Sequence, residues 1–232
     1  MHLTTPNDFS FRLFGFPTSI QPFFWLIAAF LTALHLGPID NMPIWFAKML
    51  LGIAGVLLSI LVHELGHAFV FRHVFRTPCA IVLHGFGGAA IPLQHYSRGY
   101  GFHGMVANCF LSFAGPFAGF ILAGVMITFL LTAPMKEGLF TFFLEWTATI
   151  SIIWGIFNLL PVYPMDGGHI SRESFRFFFP RRGVEFSLFM SMTLAAVLAV
   201  AALPSGQYFI TFIFGYFAYL NYQEMFGRSF RP

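Results

Sequence analysis

The sequence predicts a polytopic α-helical membrane protein with about six transmembrane helices and a small β-hairpin or sheet near the cytoplasmic side. Three observations predict this class. The chain has 232 residues, of which 57% are hydrophobic and only 9% are charged, whereas soluble domains carry roughly 25% charged residues. Several apolar runs approach the roughly 20 residues that a helix needs to cross a hydrocarbon core of about 30 Å. Between two of these runs, short apolar stretches surround a glycine cluster, a pattern typical of a hairpin.

The apolar runs define the predicted helices in chain order. The first and shortest covers residues 23–36 and follows Pro22, a residue that suits the first turn of a helix. The other five predicted spans cover residues 44–71, 105–131, 139–160, 184–203 and 207–222. No internal repeat or linker divides the chain, so we expect one membrane-embedded domain over residues 1–232, with its core at about 44–170.

Two stretches have a pattern that favours strands over helices. Residues 80–84 and 89–93 flank Gly85, Gly87 and Gly88, which predicts a β-hairpin with a glycine turn. Residues 9–14 partly alternate between apolar and polar side chains before glycine and proline interrupt them. We therefore expect a small sheet that lies against the helices on one side of the membrane.

Charge asymmetry orients the predicted helices. Six crossings place both termini on one side, and that side also receives ten arginines: Arg12, Arg72, Arg76, Arg98, Arg172, Arg176, Arg181, Arg182, Arg228 and Arg231. The opposite side receives only Lys48 and Lys136. Cytoplasmic loops carry an excess of Lys and Arg, so this distribution predicts that both termini are cytoplasmic.

Composition argues against two other classes of protein. The net charge is only +3 and the arginines do not line a polar helix face, so nucleic acid is not an expected partner. The two cysteines, Cys79 and Cys109, are too few for a disulfide framework and are interpreted as small apolar fillers. Membrane lipid is the expected surroundings, while the sequence does not indicate an oligomeric state.

The second apolar run contains an H-E-x-x-H motif at residues 63–67. Histidines at positions i and i+4 lie on one helix face, so His63 and His67 can share one zinc ion, with Glu64 placed to act as an acid or base. The alternative is a chance motif whose histidines bond to backbone. Ionisable groups within an apolar span are costly and usually functional, which favours the metal interpretation.

A catalytic zinc site needs a third protein ligand and an open position. Once the acids toward the opposite side and Asp8 of the N-terminal arm are set aside, the remaining candidates on the same side of the membrane are Asp166, His169, Glu173 and Glu185. Asp166 directly follows the fourth span, in a segment where Pro161 and Pro164 prevent a regular helix. It is therefore the favoured third ligand, the alternative being an aspartate that caps a turn. His169 is either near the metal or an ordinary loop residue.

Together, the motif at residues 63–67 and the segment Asn158-Leu159-Leu160-Pro161 to Asp166-Gly167-Gly168 resemble the site-2 protease family of intramembrane zinc metalloproteases. The resemblance covers about residues 44–169. It implies that His63, His67 and Asp166 bind zinc and that Glu64 is the catalytic acid/base. It also implies that Asn158 contacts substrate or stabilises the oxyanion. Ala114-Gly115-Pro116 is similar to the family's third-span motif, but no site role is assigned to it.

The predicted function is that of an intramembrane zinc metalloendopeptidase with one zinc ion per chain. Its expected substrate is a single-span helix or a membrane-anchored protein segment, which the strand edge of the 80–93 hairpin could hold in extended form. A membrane metal transporter and an inactive zinc-binding scaffold are the alternatives. A transporter usually needs polar ligands along a path through the bilayer, and the last two apolar runs offer little of this kind.

Overall fold

The computed structural model describes residues 7–39, 41–96, 99, 101–133 and 136–227. Its strands are β1 (Phe9–Leu13), β2 (Phe16–Ile20), β3 (Cys79–His84) and β4 (Gly87–Pro92). Its helices are α1 (Pro22–Leu36), α2 (Met42–His73), α3 (Gly101–Thr132), α4 (Leu139–Asn158), α5 (Asp166–Phe178), α6 (Gly183–Ala202) and α7 (Tyr208–Phe226). The coarse prediction of a mostly helical chain with a small sheet is therefore confirmed.

Four of the described helices are long and apolar enough to cross a membrane, namely α2, α3, α4 and α6. The helix α1 has 15 residues and is shorter than a usual span. The helix α7 has 19 residues but falls outside this apolar group. Large apolar side chains point outward from the helices, among them Leu50 at 69% and Leu131 at 81% exposure. Such a surface suits lipid better than water.

The chain divides into two compact units. The first comprises residues 1–97 and 114–156, and the second comprises residues 98–113 and 157–232. The first unit holds the sheet, α1, α2 and most of α3 and α4. The second unit holds α5, α6 and α7.

The sheet of the first unit has the order β1-β2-β3-β4. The strands β1 and β2 form an antiparallel hairpin whose two turn residues, Phe14 and Gly15, have φ of 49° and 82°. Two successive positive φ values match the type I′ turns that join twisted strands with two residues. The strand β2 then pairs in parallel with β3, which forms the predicted glycine hairpin with β4.

Small residues allow α2 to pack closely on its neighbours. At Gly55, a Cβ atom would lie 2.8 Å from the hydroxyl oxygen of Thr147 on α4. One turn further, the Ser59 hydroxyl donates to the Thr147 carbonyl at 3.1 Å and accepts from the Ser151 hydroxyl at 3.0 Å. These buried polar contacts fix α2 against α4 just before residue 63, where the motif begins.

Proline chemistry sets the end of α4. The helix stops at Asn158, two residues before the predicted end at residue 160. Pro161 has no amide hydrogen and disfavours helical conformation in the residue before it, so the backbone leaves the helix early. The sequence did not predict the separate helix α5, which begins at Asp166 directly after this irregular segment.

The core of the second unit forms around Val162, Ala195 and Phe214, which lie in the irregular segment, α6 and α7. The predicted positions of the last two helices agree with α6 and α7 within a few residues. Arg98, Arg228 and Arg231 lie outside the described residues.

Candidate metal centre and active site

The H-E-x-x-H motif lies within α2 and is buried. His63 and Glu64 are each 3% exposed and His67 is 8% exposed. Residues four positions apart lie on the same face of a helix, so the imidazoles of His63 and His67 face the same region. The Nε2 atoms of His63 and His67 are 3.3 Å apart.

This separation tests whether the residues fit a zinc ion. Two nitrogen ligands at about 2.0–2.1 Å from a tetrahedral zinc lie about 3.3–3.4 Å from each other. The observed Nε2 to Nε2 distance of 3.3 Å agrees with that value. Imidazole nitrogens are also ligands that zinc prefers. The geometry and the chemistry of the histidine pair therefore fit zinc.

Gly115 on α3 provides the space in front of the histidines. A Cβ atom at this position would meet the Nε2 atom of His67 first and would lie 2.8 Å from the Nε2 atom of His63. Only a glycine leaves this volume open, so α3 borders the place where a metal would lie. The sequence contained this residue in its third-span motif, but sequence reasoning assigned it no site role.

Gly66 explains how α3 comes so close to α2. A Cβ atom at Gly66 would meet the carbonyl group of Ala114 and would lie 3.0 Å from the Cβ atom of Ala118. Small residues on both helices thus allow the backbones to approach, as is common where membrane helices cross. The close crossing positions Gly115 over the histidine pair.

The strand β4 packs against Glu64 of the motif. A Cβ atom at Gly88 would lie 2.5 Å from Cγ and 2.7 Å from Oε1 of Glu64. The backbone of the hairpin therefore runs directly beside the carboxyl group. The sequence predicted a β-hairpin whose strand edge could hold a substrate segment, but it did not predict the contact between Gly88 and Glu64.

The second unit contains Asn158 and Asp166, which are described there by themselves. Asn158 is the last residue of α4 and Asp166 is the first of α5, and both are partly buried. Between them the chain folds back tightly. A Cβ atom at Gly167 would overlap the carbonyl group of Leu159. Glycine at this position therefore permits the close backbone approach, whereas the ligand role of Asp166 stays a prediction.

Two buried side chains fix the segment that precedes Asp166. The Ser191 hydroxyl on α6 accepts from the Tyr163 amide at 2.6 Å, and the Asn221 amide on α7 donates to the Tyr163 carbonyl at 2.6 Å. Ser191 and Asn221 are both 0% exposed. A single Asn within an apolar run is the signal that could have identified this contact from sequence.

The other candidate residues, His169, Glu173 and Glu185, lie on α5 and α6. His169 stacks edge-on against Tyr163, with ring centroids 5.1 Å apart. Glu173 is 7% exposed and accepts from the Asn108 amide at 3.3 Å and from Arg176 at 3.4 Å, while Glu185 is exposed on α6. Burial raises the pKa of the Cys79 thiol to about 11 despite the opposing effect of Arg72, so this thiol stays protonated at neutral pH.

Known proteins that resemble this chain in sequence are metallopeptidases. A sequence model of peptidase family M50 matches residues 132–200, a region that includes Asn158 and Asp166 but not the H-E-x-x-H motif. The chain is 29% identical over 160 residues to "Putative zinc metalloprotease Rip3" of Mycobacterium tuberculosis, covering 66% of this chain and 39% of that protein. It is 26% identical over 167 residues to the zinc metalloprotease MJ0392 of Methanocaldococcus jannaschii, covering 70% of this chain and 43% of that protein.

The fold also has a solved counterpart. It matches the site-2 protease from Methanocaldococcus jannaschii with a TM-score of 0.61 and 21% identity, over 94% of this chain and 95% of that structure. The chain spans about two fifths of the length of the curated relatives it matches.

The four apolar helices point to an integral membrane protein, and one of them carries a buried histidine pair whose spacing fits a shared metal ion. The family model covers less than a third of the chain, and the curated relatives that the chain resembles are named zinc metalloproteases, in agreement with the resemblance seen in the sequence. The relatives also support zinc as the metal.

Proposed function

We propose that this protein is an intramembrane zinc metalloendopeptidase that cleaves transmembrane or membrane-anchored proteins. The observation that carries the proposal is the buried pair of His63 and His67, with Nε2 atoms 3.3 Å apart and Glu64 beside them in an apolar helix. Burial of three ionisable groups within an apolar helix is costly and is characteristic of functional sites. The names of the relatives support the same activity.

Zinc would be held by His63, His67 and Asp166. Two imidazoles and one carboxylate form a donor set that suits zinc, and they leave a fourth position for substrate or water. Asp166 contributes a negative charge that the histidines lack. A bound zinc ion supplies Lewis-acid polarisation of a carbonyl group and activation of water.

Glu64 is the proposed proton carrier. Its carboxylate accepts the proton of the attacking water and then donates it to the nitrogen of the leaving amine. Burial at 3% exposure shields this transfer from bulk water. The side-chain amide of Asn158 is proposed to contact the substrate or to stabilise the oxyanion.

The substrate would be bound in extended form along the hairpin. A transmembrane helix hides its carbonyl groups in hydrogen bonds, so it must unwind before cleavage. The strand β4 lies at the edge of the described sheet and passes beside Glu64 through Gly88. Addition of a substrate strand to this edge would deliver a scissile peptide bond to the carboxyl group.

The proposed topology has six spans, with α1 and α7 joining the four helices that are clearly long and apolar enough. Both termini and the opening of the active site are placed on the cytoplasmic side, because the arginines concentrate there. Reporter fusions after residues 136 and 175 test this arrangement. They should report opposite faces, and a shared face would separate Asp166 from the side proposed for the histidines.

Paired substitutions test the function. Glu64→Gln should keep about one zinc ion per chain and abolish cleavage, since the amide cannot accept a proton. General acid–base groups contribute typically 10²–10⁴-fold in rate. Asp166→Asn should lower both zinc content and activity. Glu145→Gln is the matched control, because Glu145 is an exposed acid on α4.

The measurement is the abundance of uncut single-span proteins in membranes of cells that produce each variant, together with zinc content after purification. Uncut substrate should accumulate with Glu64→Gln and Asp166→Asn but not with Glu145→Gln. A scaffold would tolerate Glu64→Gln, and a transporter would lose metal flux without any accumulated protein. Wild-type processing in the Glu64→Gln variant would end the protease assignment.

A further inference from the structure

A cavity lies at the end of α2, and the histidine pair does not line it. Its volume is about 450 Å³, and three arginines line it: Arg12 from β1, Arg72 from the last turn of α2, and Arg76 from the loop before β3. None of the ten residues that line the cavity is acidic. The cavity therefore concentrates positive charge without a lining carboxylate.

Arg72 is built into the wall of the cavity. Its Nη1 atom donates to the Phe14 carbonyl at 2.9 Å, and its guanidinium lies over the Phe16 ring at 3.6 Å from the centroid. A Cβ atom at Gly15 would lie 3.3 Å from the Nη2 atom, so this glycine leaves room for the guanidinium. These contacts hold one cation in place before any ligand arrives.

Arg76 adopts a backbone conformation that side chains rarely accept. Its φ is +50°, in the left-handed region. For a residue with a Cβ atom this conformation costs about 1–2 kcal/mol. An arginine at such a position, where glycine would be free of strain, points to a use for its side chain in the cavity.

The end of α2 cannot neutralise these charges. A helix C-terminus is equivalent to roughly −0.5 elementary charge, whereas three guanidiniums contribute three positive charges. An external anion would supply the remaining negative charge. A guanidinium group can donate two parallel hydrogen bonds to two oxygens of one phosphate group. Phosphate is therefore the anion that best matches this cluster of arginines.

The edge of the cavity is apolar. Leu93 lines it and is 47% exposed, and the lining residues Pro17 and Pro78 are also exposed. An apolar rim beside basic groups suits a ligand with a phosphate and hydrocarbon chains. The cavity also adjoins the end of a helix long enough to span the membrane, where lipid headgroups lie.

We propose that the cavity lined by Arg12, Arg72 and Arg76 binds the phosphate group of an anionic membrane lipid. This site does not depend on the protease assignment. It gives the end of α2 and the first hairpin a shared ligand, because Arg12 and Arg72 come from these two elements.

Native mass spectrometry of the full chain in mild detergent tests the proposal. The chain is exposed to phosphatidylglycerol or to phosphatidylcholine, and retained lipid is counted. The wild type should retain one phosphatidylglycerol with at least about tenfold preference, equal to about 1.4 kcal/mol. Arg12→Gln with Arg76→Gln should remove the preference, and Arg72 is left intact because it also joins the hairpin to α2.

Arg181→Gln with Arg182→Gln is the matched control, since both arginines are exposed and the change in net charge is the same. It should retain the preference, and an unchanged melting temperature of both double variants in detergent verifies folding. Equal loss in the control would reduce the effect to general surface charge and overturn the proposal, as would an unaltered preference in the Arg12 and Arg76 variant. Inorganic phosphate that binds through these arginines without any preference for phosphatidylglycerol would overturn the lipid assignment.

Discussion

Gly88 on the hairpin lies so close to Glu64 on α2 that a single added Cβ atom would be 2.5 Å from Cγ and 2.7 Å from Oε1 of the glutamate. The backbone of β4 thus forms one wall of the space that the carboxyl group occupies. Glu64 is the proposed proton carrier. The contact with β4 means that a strand far from α2 in the chain helps to set the rotamer of this side chain. The hairpin is therefore part of the proposed active site, in addition to its proposed role in binding substrate.

The first prediction follows from this contact. Gly88→Ala should displace the Glu64 side chain and lower the cleavage rate at least about tenfold, which corresponds to about 1.4 kcal/mol. Zinc content should stay the same, because the histidines are untouched. The control is Gly119→Ala, whose Cβ atom would meet only the Ser151 carbonyl oxygen at 3.5 Å. Wild-type cleavage by Gly88→Ala would show that the contact is unimportant.

The second prediction concerns the space in front of the histidines. Gly115→Ala should expel the metal, because the new methyl group would occupy the position next to both Nε2 atoms. Zinc measured by atomic absorption should fall well below one ion per chain. Gly119→Ala, one turn along the same helix, should retain zinc. Full zinc content in the Gly115→Ala variant would exclude α3 as a wall of the site.

The third prediction concerns the segment that leads to Asp166. Asn221→Ala should leave the Tyr163 carbonyl buried without its amide donor, at a cost of about 1–3 kcal/mol in the free energy of unfolding. The melting temperature in detergent should fall accordingly. Gln223→Ala, an exposed position on the same helix, should have little effect. A similar loss from both substitutions would indicate that the helix α7, and not the contact to Tyr163, determines stability.

The fourth prediction concerns pH. Burial lowers the pKa of His84 below its ordinary value of 6.5, and the neutral ring accepts the Phe86 amide hydrogen on Nδ1 at 3.2 Å. Because the folded pKa is lower than the unfolded one, the unfolded state binds the proton more readily. The stabilisation is complete above pH 6.5 and declines as the pH falls toward the folded pKa.

His84→Asn provides the comparison for this pH effect, since its amide oxygen can accept the same hydrogen bond without titrating. The difference in melting temperature between wild type and variant should change between pH 7.5 and pH 5, with the wild type losing more. A constant difference over this range would contradict the assignment to His84.

Local patterns in the sequence were sufficient to predict several features. The i, i+4 spacing of His63 and His67 requires only a helix, and the helix follows from the apolar run around it. The glycines at residues 85, 87 and 88 predicted the hairpin because strands and turns are encoded by neighbouring residues.

Tertiary contacts could not be predicted in the same way. Nothing in the sequence near Gly115 or Gly88 indicates that each faces a residue of α2, since these contacts join residues far apart in the chain. The helix α5 was missed because two prolines dominate the segment before it, while the helix itself begins only at Asp166. The roles of Asn158 and Asp166 as site residues stay predictions.

The length of α2 has a consequence for access from the two sides of the membrane. With 32 residues the helix is about 48 Å long, which exceeds a hydrocarbon layer of about 30 Å. His67 lies about 9 Å from the C-terminal end of this helix and about 37 Å from its N-terminal end. In sealed vesicles, a chelator that cannot permeate lipid should therefore strip zinc quickly from one orientation of the protein and slowly from the other.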